Sequence, residues 1–185
     1  MDNRSSLTII FLATCAVGSW QLGNHHSNNK IIIETNEPNS KGFYLQNAKI
    51  LGTGENGKLL YQIKAQRAQQ LPNQSIELKN VSLRYSSNTG IPWIINAKTA
   101  IISKDQKNLD LSGEVVATSQ VGFSGKTTEI KTPLLRIEPM NYKAETNSSV
   151  YLKIGPQQIL ATGMLALLKE NRLELKSDVN GMFNP

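Results

Sequence analysis

The chain has 185 residues, 39% hydrophobic and 18% charged, which suits one folded domain with an appendage. That balance excludes a disordered polar tail and a polytopic membrane protein. Twenty Lys and Arg against fourteen Asp and Glu leave a net charge of +6, a surplus that suits anionic partners such as phosphorylated glycolipid, phospholipid headgroups or nucleic acid.

Residues 1–22 read as a membrane anchor. No Asp, Glu, Lys or Arg occurs from Ser5 to Asn29, and Leu7 to Leu22 is apolar or small. As a helix those residues reach about 24 Å, slightly short of a hydrocarbon core of about 30 Å. Three readings compete: an uncleaved single-pass anchor, a cleaved signal peptide with Ala16-Val17-Gly18 at its processing site, and a lipoprotein signal ending at Cys15. Each sends the remainder of the chain across a membrane. Cys15 is the single cysteine, so no internal disulfide is possible. Residues 23–40, rich in Asn, His and Ser, read as a flexible linker. It holds both histidines, His25 and His26, so a three-histidine metal site, a Ser-His-Asp triad and a Cys-His pair are not expected in the folded part.

Residues 41–185 read as one all-β domain. Apolar residues alternate with polar ones at Leu59, Tyr61, Ile63, Ala65, at Val81, Leu83, Tyr85, and at Leu109, Leu111, Gly113, Val115, the period of half-buried strands. Turn signals separate them at Glu55-Asn56-Gly57, Ser87 to Gly90, Ser103-Lys104-Asp105 and Lys169-Glu170-Asn171. A repeat runs through the pattern. An Ile-x-Ala/Thr step recurs at Ile63–Ala65, Ile95–Ala97, Ile130–Thr132 and Ile159–Ala161. A second pair follows each: Ile76/Leu78, Leu109/Leu111, Tyr142/Ala144 and Leu173/Leu175, then Val81, Val115, Val150 and Val179. A two-strand unit cannot bury its apolar face alone, so stacked neighbours complete the core. The expected architecture is two antiparallel sheets face to face, a jellyroll or β-taco. Its first strand (Gly42 to Leu51) and last strand (Val179 to Phe183) lack a partner, and open edges invite strand addition.

Gly52 to Gly57 matches G-x-G-x-x-G as a string, but an alternating strand follows where a dinucleotide site needs a helix, and Asn56-Gly57 is a hairpin pair. The acids are scattered; Glu77 and Glu114 are expected to face outward, and no carboxylate pair supplies acid-base chemistry. Nucleic-acid binding is not expected either, since the basic residues are dispersed and Tyr61, Tyr85 and Trp93 fall in the apolar phase. What remains is an inward apolar stripe with small residues, Ala65, Ala97, Gly113, Ala161 and Gly163. It is either plain core or a path for acyl chains, with Lys and Arg at the rim to meet phosphates.

Gly42 to Ala48 (GFYLQNA), Tyr61 to Ala68 (YQIKAQRA), Leu78 to Tyr85 (LKNVSLRY), Pro92-Trp93, Leu111 to Val115 (LSGEV), Ala161 to Met164 (ATGM) and Val179 to Phe183 (VNGMF) form an ordered series. With the N-terminal segment, the series resembles LptC, the lipopolysaccharide-export accessory family of Gram-negative inner membranes. The resemblance implies a single-pass inner-membrane protein with a periplasmic β-jellyroll, no catalysis and no cofactor. It would receive lipopolysaccharide from the LptB-LptF-LptG ATP-binding-cassette transporter and pass it to the bridge protein LptA. The implied lipid path comprises Tyr61, Ile63, Ala65, Leu78, Val81, Leu83, Trp93, Ile95, Ala97, Leu111, Val115, Ile159 and Ala161. The upstream edge is implied at Phe43, Leu45, Ala48 and Ile50, and the downstream edge at Val179, Gly181 and Phe183. The alternatives are a structural adaptor, or a soluble LptA-like bridge, that joins partners by its edge strands without a lipid site of its own.

Overall fold

A computed structural model describes residues 43–54, 57–86 and 90–182. The expected anchor, the linker, the Asn56 hairpin residue and Phe183 lie outside the described residues. Nine strands run β1 (Tyr44–Thr53), β2 (Leu59–Gln70), β3 (Ile76–Ser86), β4 (Pro92–Ile102), β5 (Leu109–Ser119), β6 (Thr128–Glu138), β7 (Lys143–Ile154), β8 (Gln157–Leu167) and β9 (Arg172–Met182). Two 3₁₀ turns interrupt them, Phe123–Gly125 and Pro139–Asn141. Each strand pairs antiparallel with the next, so chain order and sheet order are the same. Such hairpin-by-hairpin pairing is what short connections with local turn chemistry produce. At the β4–β5 connection, for example, the Ser103 hydroxyl donates to Asp105 Oδ1 at 2.6 Å and accepts from the Asn108 N–H at 3.0 Å.

The sequence predicts two sheets, and the structure has one. The reason lies inside the strands. In each of β2, β3, β4, β6 and β8 the inward residues step by two and then once by three: Ala65 to Ala68, Leu78 to Val81, Ala97 to Ala100, Thr132 to Leu135, Ala161 to Met164. In β5 and β7 the step is four, Leu111 to Val115 and Thr146 to Val150. These slips coincide with register shifts between β4 and β5, β5 and β6, β6 and β7, β7 and β8, and β8 and β9. They also coincide with mid-strand residues at positive φ: Asn47, Asn80, Gly113, Glu114, Gly163 and Asp178. Bulges bend a strand and sharpen its twist. Aligned across nine strands they form a crease, and the sheet folds over along it so that one face becomes the interior.

The crease explains several local choices. Gly113 has φ +78°, and a Cβ there would lie 2.9 Å from Lys98 Cβ; Gly163 has φ +79°, and a Cβ there would lie 2.8 Å from Lys176 Cδ. Both glycines therefore make way for lysine stems, where the sequence reading had them leaving room inside. Lys98 pairs beyond its glycine with Glu114 at 3.0 Å, and Lys176 reaches Asn147 Oδ1 at 2.7 Å. Pro133, which has no N–H to donate, sits within the β6–β7 register shift, where the ladder is interrupted. Along the inner side of the crease the residues are small or β-branched: Ala48, Ala65, Val81, Ala97, Val115, Thr132, Val150 and Ala161. Bulkier side chains would hold the fold line open.

Candidate functional site

The crease divides each strand into two arms. The ends that meet the β1–β2, β3–β4, β5–β6 and β7–β8 connections form one lip, and the ends that meet the other connections form the second. Between the lips lies a single apolar core. Tyr85, Trp93, Ile95, Ala117, Phe123 and Ile130 from the first lip face Leu135, Ile137, Ala144, Met164, Ala166 and Leu168 from the second. Trp93 and Phe123 pack with ring centroids 5.4 Å apart. The cavity bounded by these residues is about 20 Å³.

Of the residues the family resemblance puts on a lipid path, Ile63, Ala65, Leu78, Val81, Leu83, Trp93, Ile95, Ala97, Leu111, Val115 and Ala161 are buried on the inner face. Tyr61 and Ile159 are half-buried and pack against them. Tyr61 lies one strand from the β1 edge, with its ring over Gly52, where a Cβ would overlap it. Burial raises the Tyr61 phenol above its ordinary pKa, and it raises that of Tyr85 further, with Tyr142 close by adding to the effect. Tyr85 and Phe123 are buried in the same interior. Tyr85 stood in the apolar phase of the sequence; Phe123, inside a turn, carried no periodic signal.

The lips meet at a hydrogen bond. The Tyr85 hydroxyl, at the first-lip end of β3, donates to the Pro139 carbonyl in the second-lip turn between β6 and β7 at 3.0 Å, in a buried setting. That turn is braced from both sides. The Pro139 carbonyl also accepts the Tyr142 N–H at 3.2 Å, and the Leu168 N–H donates to the Tyr142 carbonyl at 2.8 Å. Glu138 accepts from Asn141 at 2.8 Å and from Lys143 at 3.2 Å; these two bonds, Asn141 first, hold its carboxyl below the ordinary carboxylate range.

The two edges differ. At the β1 edge, Phe43, just before the strand, and Leu45 are exposed (54% and 52%), Ala48 is buried and Ile50 half-buried, so apolar surface lies along a strand whose outer edge has no partner among the described residues. Tyr44 is exposed beside them, with the Arg67 guanidinium 5.3 Å above its ring. On β9, Val179 is 56% exposed and Gly181 is exposed, while Leu173 and Leu175 pack against the core. Val179 follows Asp178 (φ +51°) in the terminal bulge, so among the described residues the last member of the valine series has no next strand to cover it.

The basic residues are less dispersed than the sequence suggested. Strands β1–β4 carry Lys49, Lys64, Arg67, Lys79, Arg84 and Lys98 against Glu77 alone. Strands β5–β9 carry six basic residues against seven acidic ones. Sheet order turns a sequence spacing of about fifteen residues into lateral proximity, which a linear scan does not see. Lys104, Lys107, Lys126 and Lys169 are exposed in connections at the lips. Glu77 is only partly exposed, with 29% of its side chain accessible, and pairs with Lys79; Glu114 faces outward as expected. Among the described residues no group of His, Cys, Asp and Glu could hold a metal ion, and no helix is long and apolar enough to cross a membrane.

Among the described residues the fold is a single antiparallel meander folded along a crease, with an apolar interior and an open outer edge on β1 and on β9. Residues 7–184 match the family model described as lipopolysaccharide-assembly, LptC-related, and the chain belongs to the LptC family. Membership makes it a component of lipopolysaccharide transport, in a family that is not a known enzyme family. A search of curated proteins found no matching relative.

Proposed function

We propose that the chain is an accessory of lipopolysaccharide export, anchored in the inner membrane by residues 1–22, whose periplasmic domain holds acyl chains between its two lips. It takes lipopolysaccharide from the LptB-LptF-LptG transporter through the β1 edge and passes it toward LptA through the β9 edge. The observation that carries this reading is the continuous apolar interior that runs from one unpaired edge strand to the other. Pairing at both edges extends that interior, and exposed lysines at the lips suit lipid phosphates. ATP hydrolysis belongs to the partner complex; this chain contributes an apolar surface and two templates for strand addition.

A second reading, the structural adaptor, is favoured by the packing between the lips, where the cavity bounded by Trp93, Phe123 and Met164 is about 20 Å³ and admits no acyl chain. The two are separated by photo-cross-linking in cells, with the probe at Leu83, buried inside, and at Arg84, exposed on the outer face. Lipopolysaccharide adducts at Leu83 and not at Arg84 are the expected result. Adducts at neither position, in a folded protein bound to its partners, would leave the adaptor.

A further inference from the structure

We propose that the hydrogen bond from Tyr85 to the Pro139 carbonyl is a latch that holds the two lips together, and that acyl chains reach the interior by parting this seam. The proposal rests on the reading of the interior as a lipid path and names the residues that regulate access to it.

The cavity between the lips is about 20 Å³, far too small for an acyl chain, so a chain that enters between them must first separate them. Along most of the crease the strands are hydrogen-bonded to their neighbours, the β6–β7 interruption between Lys131 and Arg136 excepted, and opening those ladders would break backbone bonds. At the seam the lips are held by side-chain packing and by a directional bond between chain segments 54 residues apart. Packing across a seam can be exchanged for packing against an acyl chain at little net cost, because both are apolar. The Tyr85 hydroxyl has no such substitute in a lipid-filled interior. The bond therefore opposes parting, and the filled state must gain enough contact to offset it.

The turn that accepts the bond is built to present its carbonyl. Pro139 is buried, and Tyr142 at φ +53° closes the turn onto the same carbonyl. Glu138, Asn141 and Lys143 tie it down from outside. Because Tyr142 N–H remains on the Pro139 carbonyl, deleting the Tyr85 hydroxyl strands no buried acceptor. Burial keeps the phenol protonated, so the donor persists through the neutral and mildly alkaline range.

The test uses the full-length protein in its membrane, with Tyr85→Phe as the variant and Tyr151→Phe on the outer face as control. The change keeps the ring and removes one hydrogen bond, which raises the population of the parted state about fivefold. Two readouts are taken: hydrogen exchange in peptides covering 83–86 and 138–143, and the yield of lipopolysaccharide adducts from the Leu83 probe. Expected are faster exchange at both lips, unchanged exchange along the crease, and a higher adduct yield, with Tyr151→Phe matching the parent. Unchanged exchange at the lips in Tyr85→Phe overturns the latch, whatever the adducts do. Faster exchange with adducts that fail to rise overturns the seam as the lipid's route while leaving the interior reading intact. A parent protein that yields no adducts refutes the interior reading itself, and with it the lipid role of the seam. Exchange that rises equally everywhere, with a lowered urea midpoint, overturns the latch in favour of general core loss.

Discussion

If the crease sets the fold, Gly113→Ala should be costly for two separable reasons. Gly113 holds φ +78°, a left-handed conformation that costs an alanine about 1–2 kcal/mol. The new methyl would also stand 2.9 Å from Lys98 Cβ, well inside the roughly 3.5–4.0 Å of ordinary carbon contact. Lys98 Cβ is fixed to the backbone of β4, so relief requires moving a strand, an overpacking cost of about 1–3 kcal/mol. The sum is about 3 kcal/mol. Gly125→Ala is the internal control, since φ is +68° there and no atom lies within 4 Å of the added methyl. It should cost about 1 kcal/mol from conformation alone. Urea unfolding followed by circular dichroism measures both, and the difference of about 2 kcal/mol corresponds to a melting temperature roughly 4–8 °C lower for Gly113→Ala. If Gly113→Ala is no worse than Gly125→Ala, lysine stems do not fix the crease and its placement needs another cause.

Three further outcomes follow from the same geometry. Leu78→Ala, at a fully buried position, should lower stability by about 2–5 kcal/mol, whereas exposed Arg84→Ala should stay within about 0.5 kcal/mol of the parent in the same urea titration. Ser119 Oγ is buried without a hydrogen-bond partner, so Ser119→Ala should leave the protein as stable or about 1 kcal/mol more so; a clear loss would reveal a partner. Glu138 is held below its ordinary pKa of 4.5 by Asn141 and Lys143, so its contribution is complete above pH 4.5 and is lost as pH falls through the folded value. Glu138→Gln should therefore be less stable than the parent at neutral pH and lose less on acidification; parallel pH profiles would contradict the assignment.

Much of this architecture was legible in the sequence, and the part that was not has a definite origin. The period-two pattern identified strands, and the Ile-x-Ala/Thr repeat marked β2, β4, β6 and β8 at the residues where each approaches the crease. The three-residue steps just beyond, Ala65 to Ala68 and Ala97 to Ala100 among them, were also present in the string. The stacking of turn-separated hairpins suggested two sheets; the three-residue steps, as bulges within strands, give one. Burial of the interior residues followed from alternation, but their packing density did not, because periodicity reports which way a side chain points and not how close the opposite wall stands. The Tyr85–Pro139 bond joins residues 54 positions apart across two arms of the sheet, a relation that no local pattern encodes.

The difference between one folded sheet and two stacked ones bears on how such a domain can be extended. In a two-sheet sandwich each end presents two edge strands, and a partner must supply two strands in correct relative position to continue the interior. Here every strand crosses the crease, so a single edge strand spans both walls. β1 carries its bend at Asn47 and β9 at Asp178. A partner strand paired along the whole of β9 would be led through the same bend and would lengthen both walls at once. The register of that pairing would be set by the bulge, since a slip of one residue turns the inward side chains outward. The crease is thus a means of propagation as well as of closure: it lets strand addition, a contact between backbones, carry an apolar channel from one molecule to the next.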